Sequence, residues 1–417
     1  MIHWITNLFL MPVLRLFFRH LHYEGLENLP KDKPILLCAN HPNSFLDGIV
    51  LSAFLKPETY VFVRGDVFKN KVANYYFRKL YLIPIFRSHD ASARTALKMN
   101  NLTYDECFTL FQKGKRIMIF PESISRSEWK LRTLKKGAAR IFLDMKERSE
   151  DLDLCIVPLG FNYSSFKGLR TDVVVHFEKP YFNADLNPQE NTAKRITFIT
   201  ETLTHEISKS MILDHKDHPD LMRLGLDLVR EEMKLSPWRI AYRGGKRFED
   251  EKMVSEAFLS ERKEVVQAAE AYQKELDKAK LTNSGFYSNT FGQWFWTVLA
   301  SLPTFLIWLI WLPCIALGKF IADELVKQDH FYDSIRIGGI MAASLIWTVM
   351  IALVVGLTLG WVWAPLVFVL PFFITYHYSV REVLNRFVQR LKWQRALRNS
   401  SQLLETRTAF LQVLKGK

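Results

Sequence analysis

The sequence predicts an α/β domain with a mostly parallel sheet, followed by a charged helical region and C-terminal apolar helices. Three observations carry this. Short apolar runs alternate with amphipathic stretches between residues 34 and 180. Such strand–helix alternation argues for a parallel sheet with helices on its faces. Residues 182–286 are polar and spaced like solvated helices, and long apolar blocks follow them.

Each element is legible in turn. Residues 2–20 are apolar, broken by Pro12 and carrying Arg15, Arg19 and His20. This is short for a span of about 20 clean apolar residues. Trp4, Phe9, Phe17 and Phe18 beside the arginines suit an interfacial anchor instead. The runs Ile35–Ala39, Tyr60–Val63, Leu80–Phe86, Arg116–Phe120, Cys155–Leu159 and Val173–Phe177 are β-branched or aromatic and read as buried strands. Ala91–Lys113, stopped by Gly114, and Lys135–Arg148 read as helices between them. The stretch KMVSEAFLSERKEVVQAAEAYQKELDKAK has i,i+4 charge pairs of a solvated or hairpin helix. His215 and His218, with Asp214, Asp217 and Asp220, read as a polar loop before Pro219.

Three apolar blocks come next: Trp294–Leu317 with Pro303 and Pro313, Ile337–Leu357, and Trp361–Tyr376, which leads into the aromatic run FFITYHY. That run suits a headgroup-level belt. The second and third blocks are close enough for a tight membrane hairpin. The tail 381–417 has nine Lys or Arg against two Glu, a contribution of 9 − 2 = +7 to a net charge of +13. Excess basic charge marks the cytoplasmic side. Three crossings would separate tail from catalytic region, so the first block is expected to be re-entrant or interfacial. The chain thus divides into an amphipathic anchor (1–33), a catalytic domain (34–181), a charged helical region (182–286), an apolar region (287–380) and a basic tail (381–417).

Composition narrows the function. Hydrophobic residues make up 49% and aromatics 13% of 417 residues, and pI is near 9.4. A basic balance fits nucleic acid or an anionic membrane. The apolar blocks favour the membrane, and no nucleic-acid-binding signature is present. The four cysteines, Cys38, Cys107, Cys155 and Cys314, are far apart in sequence and suggest neither a metal site nor a redox pair. Reduced cytosolic thiols are the simplest reading.

Chemistry concentrates in four motifs. NHPNSFLD, Asn40 to Asp47, directly follows a strand. His41 falls in the strand-to-helix turn, and Asp47 in the first helical turn can point back at it. A carboxylate on one ring nitrogen fixes the tautomer, so the other can take a proton from a hydroxyl. Ser44 to Asp47 also reads as a capping box. FPESISRSEWKLRTLKKGAAR, Phe120 to Arg140, follows another strand. Its turn holds Glu122, Ser123, Ser125 and Arg126, with Lys130, Arg132, Lys135 and Lys136 beyond. An arginine there suits a phosphate, and a helix N-terminus adds partial positive charge, although an ordinary basic loop has the same composition. IPIFR ends a strand at Arg87, and CIVPLGFNY, Cys155 to Tyr163, carries Pro158 as a shape-setting residue.

Taken in order, His…Asp, strand-end Arg, FPE with Arg, and strand-Pro resemble the lysophospholipid and glycerol-3-phosphate acyltransferase superfamily over roughly residues 34–180. The common first block has four residues between His and Asp, but five stand here. The common third block is FPEGTRS, but here FPESISRS places Ser123 where the glycine stands and adds a residue. Both longer spacings resemble the fungal-type glycerol-3-phosphate/dihydroxyacetone-phosphate acyltransferase branch. Ser123 bears on the tightness of that turn, because glycine permits closer backbone approach.

The resemblance implies a membrane-associated glycerolipid acyltransferase fold. It makes His41 the base and Asp47 its partner, with Arg87, Glu122, Ser123 and Arg126 holding the acceptor's glycerol-phosphate end. It implies an acyl-CoA or acyl-carrier-protein donor, a glycerol-3-phosphate or 1-acylglycerol-3-phosphate acceptor, no cofactor or metal, and a membrane location with the catalytic domain facing the cytoplasm. The hydroxyl would attack the thioester directly. Consistent with this, the sequence has no G-x-S-x-G elbow and no nucleotide-binding glycine motif. Lysophospholipid remodelling, another lipid acceptor, or a non-catalytic membrane-anchored lipid-binding protein are the rival readings. A metal-dependent hydrolase lacks further ligands at suitable spacing.

Overall fold

The computed structural model describes residues 10, 12–55, 59–86, 93–181, 190–287 and 291–416. In chain order the first part contains β1 (Phe18–Glu24), β2 (Ile35–Ala39), α1 (Phe45–Phe54), β3 (Thr59–Arg64), α2 (Lys71–Lys79), β4 (Leu82–Ile85), α3 (Ala93–Gln112), β5 (Arg116–Ile119), α4 (Gly137–Arg148), β6 (Cys155–Tyr163) and β7 (Thr171–Phe177). Then come α5 (Thr192–Lys209), α6 (Pro219–Glu232), β8 (Ala241–Arg243), α7 (Arg247–Leu259), α8 (Lys263–Ala279), α9 (Phe291–Leu325), α10 (Asp329–Leu359), a 3₁₀ turn (Ala364–Val369), α11 (Leu370–Asn399) and α12 (Gln402–Leu414).

The eight strands form one sheet in the order β4-β3-β5-β2-β6-β7-β1-β8. Every neighbouring pair is parallel except β6 and β7. The six strands expected from apolar runs are all present. Alternation along each strand divides the core in two. Ile35, Leu37 and Ala39 of β2 face a cluster with Leu46, Val50 and Leu51 of α1. Leu36 and Cys38 face the other way, toward Cys107 and Phe111 of α3 and Ala138, Ile141 and Phe142 of α4.

Two strands escaped the sequence reading. β1 is FRHLHYE, and its polar residues disguise a strand that is buried nearly throughout. Residues 12–17 are helical, and Val13, Leu14, Leu16 and Phe17 lie in the core. The stretch expected to lie on a membrane is therefore core over residues 12–20. Pro12, Val13 and Leu16 line one apolar cavity with Trp311 and Ile315 of α9 and Ile340 of α10. Residues 1–9 and 11 lie outside the described residues. The charges of β1 are paired. Asp172 of β7 accepts from Arg19 Nη2 at 2.7 Å and from Arg247 Nη2 at 2.9 Å, and Arg247 Nε donates to Glu251 at 2.6 Å. Glu24 accepts the backbone N–H groups of Arg247 and Phe248, both at 3.0 Å, satisfying orphan donors at the start of α7.

The helical region 212–287 packs against the C-terminal tail. Leu226, Val254, Phe258, Tyr272 and Leu276 share one core with Trp393, Leu403, Phe410 and Leu414. The basic tail therefore continues as α11 and α12, with Arg407 buried over the Phe286 ring at 3.7 Å.

Among the described residues, two helices are long and apolar enough to cross a membrane, over Trp294–Leu325 and Phe331–Leu359. The first block is thus one continuous helix paired with the second, whereas the third forms a 3₁₀ turn and the start of α11. α9 and α10 meet where Gly318 lies against Gly339. A Cβ on Gly318 would sit 2.3 Å from Ile340 Cγ1 and 2.8 Å from its backbone nitrogen, whereas Gly338 faces open space. Small residues of this kind let apolar helices approach closely. Gly318→Ala is expected to cost about 1–3 kcal/mol through overpacking. Gly338→Ala is expected to be neutral or slightly stabilising, because alanine is the better helix former. Melting of the two variants in detergent checks this. Equal melting temperatures would show that the crossing is not tight.

Candidate active site

The sharp turn after β2 builds the site. Asn40 locks this strand end to β6: its Nδ2 donates to the Phe161 carbonyl at 3.1 Å, and its Oδ1 accepts the Phe161 N–H at 2.7 Å. Pro42 follows, and Ser44 takes a left-handed φ of 49° before α1 begins. Asp47, in the first turn of α1, is fully buried.

His41 Nδ1 lies 2.9 Å from Asp47 Oδ2. The same carboxylate accepts the Asn43 N–H at 3.0 Å and the Tyr163 hydroxyl at 2.7 Å. Three donors on one carboxylate hold it rigidly. Burial, then the adjacent Asp47 charge, raises the Tyr163 hydroxyl well above its ordinary range, so it remains a donor. The imidazole stacks on Phe120 with ring centroids 3.9 Å apart. With Nδ1–H committed to Asp47, Nε2 carries the free lone pair. The side chain keeps 16% exposure, enough for a small hydroxyl to reach it. This arrangement can remove a proton from an alcohol.

The FPES turn closes over the same loop. Glu122 Oε1 accepts the His41 backbone N–H at 2.8 Å, the Arg126 N–H donates to the His41 carbonyl at 3.1 Å, and Ser125 Oγ accepts the Ser44 N–H at 2.8 Å. Ser123 has φ 63°, the left-handed conformation that glycine adopts without strain. The tight turn is therefore kept, with a serine in the glycine's place. The Arg126 side chain is exposed beside this loop. His41, Asp47, Glu122, Ser123 and Arg126 are thus brought together, and Arg87 lies outside the described residues. Tyr163 is the partner of Asp47 that the sequence reading missed. The span CIVPLGFNY ends in it, but its partner is 116 positions away.

Glu122 is buried, and its carboxyl is pushed up to about 7. Burial is the main cause, opposed by the backbone N–H groups of His41 and Arg132. The sign follows from linkage. A folded-state value above the ordinary 4.5 means that the folded form binds the proton more tightly. Stability from this group is present below about 4.5 and is lost as pH rises through about 7. The amount is on the order of 3 kcal/mol. Glu122→Gln keeps the acceptor but cannot ionise. Melting curves from pH 4.5 to 8 should therefore slope less for Glu122→Gln than for wild type. Parallel curves would rule out this titration.

His215 Nδ1 accepts the N–H groups of Asp217 and His218 in a turn before α6. Among the described residues, no group of three or more His, Cys, Asp or Glu is arranged to hold a metal ion.

A buried aspartate thus holds one ring nitrogen of a partly exposed histidine, on the loop after a parallel strand, and such a pair is able to take a proton from an alcohol. Residues 20–162 match the family model described as Acyltransferase, which spans His41, Asp47, Glu122 and Arg126. The 1-acyl-sn-glycerol-3-phosphate acyltransferase LPAT1, chloroplastic, of Arabidopsis thaliana is 29% identical over 137 residues, 33% of this chain and 36% of that protein. The chain thus spans about a third of the length of this curated relative. A solved structure, the 1-acyl-sn-glycerophosphate (LPA) acyltransferase PlsC from Thermotoga maritima, aligns over 49% of this chain and 79% of that one, with 17% identity and a TM-score of 0.33. The family match falls in the first part of the chain, over the strands and loops that carry His41 and Glu122.

Proposed function

We propose that the protein transfers a fatty acyl group from an acyl thioester to a hydroxyl of glycerol-3-phosphate or 1-acylglycerol-3-phosphate. The observation that carries this is the His41–Asp47–Tyr163 chain, with His41 Nε2 left free at a partly exposed strand end. In this reading His41 Nε2 takes the acceptor's hydroxyl proton as the oxygen attacks the thioester carbonyl. A C–O bond forms, the C–S bond breaks, and the proton passes from His41 to the departing thiolate. Asp47 holds the ring and stabilises the imidazolium while the proton is on it.

Arg126, Arg87, Ser123 and Glu122 would hold the glycerol-phosphate end. Arg126 offers a planar fork to the oxyanion. Glu122 favours this arrangement when protonated, because a neutral carboxyl does not repel phosphate. No cofactor is needed for the step. Acyl-CoA and acyl-carrier protein are both suitable donors. The longer spacings of both motif blocks favour the fungal-type glycerol-3-phosphate branch, and the Arabidopsis relative favours the lysophosphatidate acceptor.

We place the domain on the cytoplasmic face of a membrane, held by α9 and α10. Phe331, at the start of the second apolar helix, packs 6.1 Å from Phe45, just after the histidine loop. That supports a site opening at the membrane boundary, where an acyl chain can stay in lipid.

The test is transfer of labelled acyl groups from both donors to both acceptors, in membranes carrying wild type or His41→Ala. Transfer that requires His41, with one acceptor preferred, supports the proposal and identifies the step. Transfer that survives His41→Ala rejects the mechanism. Membranes with no transfer from any pairing reject both acceptors.

A further inference from the structure

Helix α2 is built for water on one side only in part. Over residues 69–79, KNKVANYYFRK, there are four basic residues and no acidic one. Asn70 caps the helix, its Oδ1 accepting the Val72 N–H at 2.8 Å. Phe77 and Arg78 face the protein: Phe77 lies 5.5 Å from Phe68, and Arg78 reaches Glu106 of α3. Val72, Tyr75 and Tyr76 do not. They are 65%, 56% and 49% exposed, and with Lys79 they fall at i, i+3, i+4 and i+7, one stripe along the helix. Lys79 Nζ sits 5.7 Å from the Tyr75 ring centroid, so the charge borders the aromatic face.

The strand order bears on which face of the sheet α2 covers, at the β4 edge where Arg78 also reaches α3. From β2 through α1 to β3, and from β3 through α2 to β4, the chain steps in one direction across the order β4-β3-β5-β2. From β4 through α3 to β5, and from β5 through α4 to β6, it steps the other way. Crossovers between parallel strands are right-handed, so α1 and α2 share one face and α3 and α4 the other. The cores agree for α1, α3 and α4. The α1 face is also the one on which Trp311, Cys314 and Ile315 of α9 and Ile337 and Ile340 of α10 pack. Only 22% of the apolar window of each of these helices is buried in the protein.

We propose that α2 is a second, peripheral membrane contact, lying on an anionic bilayer surface with Val72, Tyr75 and Tyr76 at headgroup level and Lys69, Lys71 and Lys79 among the lipid phosphates. Aromatic and basic side chains on one helix face are what such an interface recognises. The contact sits at the β4 edge, away from the helix pair, and so fixes the tilt of the catalytic domain on the bilayer. This rests on the membrane placement proposed above.

The test uses the full chain in nanodiscs of phosphatidylcholine, with or without phosphatidylglycerol. Single cysteines replace Val72, Leu309 on α9, or Leu102 on α3, each carrying an environment-sensitive dye, with spin-labelled lipids as quenchers. The four native cysteines are buried. Leu309→Cys should be quenched in both lipids and Leu102→Cys in neither. Val72→Cys should be quenched by headgroup-level spin labels, more strongly with phosphatidylglycerol. Adding Lys71→Gln and Lys79→Gln should weaken that anionic preference about 30-fold. If Leu309→Cys is not quenched, the membrane placement fails. If Leu309→Cys is quenched and Val72→Cys matches Leu102→Cys, the α2 contact alone is overturned. Equal quenching of Val72→Cys in both lipids overturns the anionic preference.

Discussion

Asp47→Asn is expected to lower acyl transfer by about a hundred-fold or more while the protein stays folded. The reason lies in charge. Oδ2 of the buried carboxylate accepts from both His41 Nδ1 and the Asn43 N–H, and Oδ1 accepts from the Tyr163 hydroxyl. An amide oxygen at the first position keeps both of its donors, and the NH₂ at the second turns to Tyr163, whose hydroxyl can accept as well as donate. The tautomer of His41 is kept, but the negative charge that would stabilise its imidazolium is lost. Steady-state rates should fall in kcat, with a melting temperature close to wild type. Loss of less than about tenfold would mean that Asp47 only caps α1, the alternative that its position also allows.

Asp172→Ala should be the most destabilising single change, at about 3–5 kcal/mol. Asp172 is 1% exposed and holds two guanidinium groups, Arg19 from its own sheet and Arg247 from α7. Burial on its own would raise its carboxyl, but Arg19 and Arg247 outweigh that and hold it well below the ordinary carboxylate range. Its stabilising contribution is therefore present above the unfolded-state value and is lost as pH falls through the folded one. Removing it leaves Arg247, 2% exposed at the side chain, with Glu251 as its remaining ion-pair partner. Denaturant melts near neutral pH should show the full loss, shrinking in acid. A loss under about 1 kcal/mol would mean that water replaces the carboxylate.

The strands that hold His41 and Glu122 were legible because parallel strands buried on both faces read as continuous apolar runs. Ile35–Ala39 and Arg116–Ile119 are of this kind. β1 was not, because Arg19, His20 and Glu24 find their partners in Asp172, Glu382, the Ser236 carbonyl and the backbone of α7, residues far away in sequence. The His41–Asp47 pair was legible because one turn of helix separates them. Tyr163 was not, because its meeting with Asp47 depends on β6 lying beside β2. The unusual Ser123 proved consistent with the motif it departs from, keeping the left-handed turn that glycine would make without strain. Pairing of the first two apolar blocks depended on Gly318 and Gly339, which no hydropathy pattern distinguishes from the glycines around them.

The shared core of residues 212–287 and 393–414 has a consequence for how the chain is made. Tyr272 and Leu276 leave the ribosome long before Trp393 and Phe410, which complete their packing. At ordinary synthesis rates the interval is on the order of 10 s. In the membrane placement proposed above, the apolar pair emerges within that interval and enters the bilayer before the helical region can close. A chaperone would find its binding surface on α8 during that time. Because both halves of this core meet, that placement requires them on the same side of the membrane, and a helix pair that failed to return would leave two sticky fragments on opposite sides.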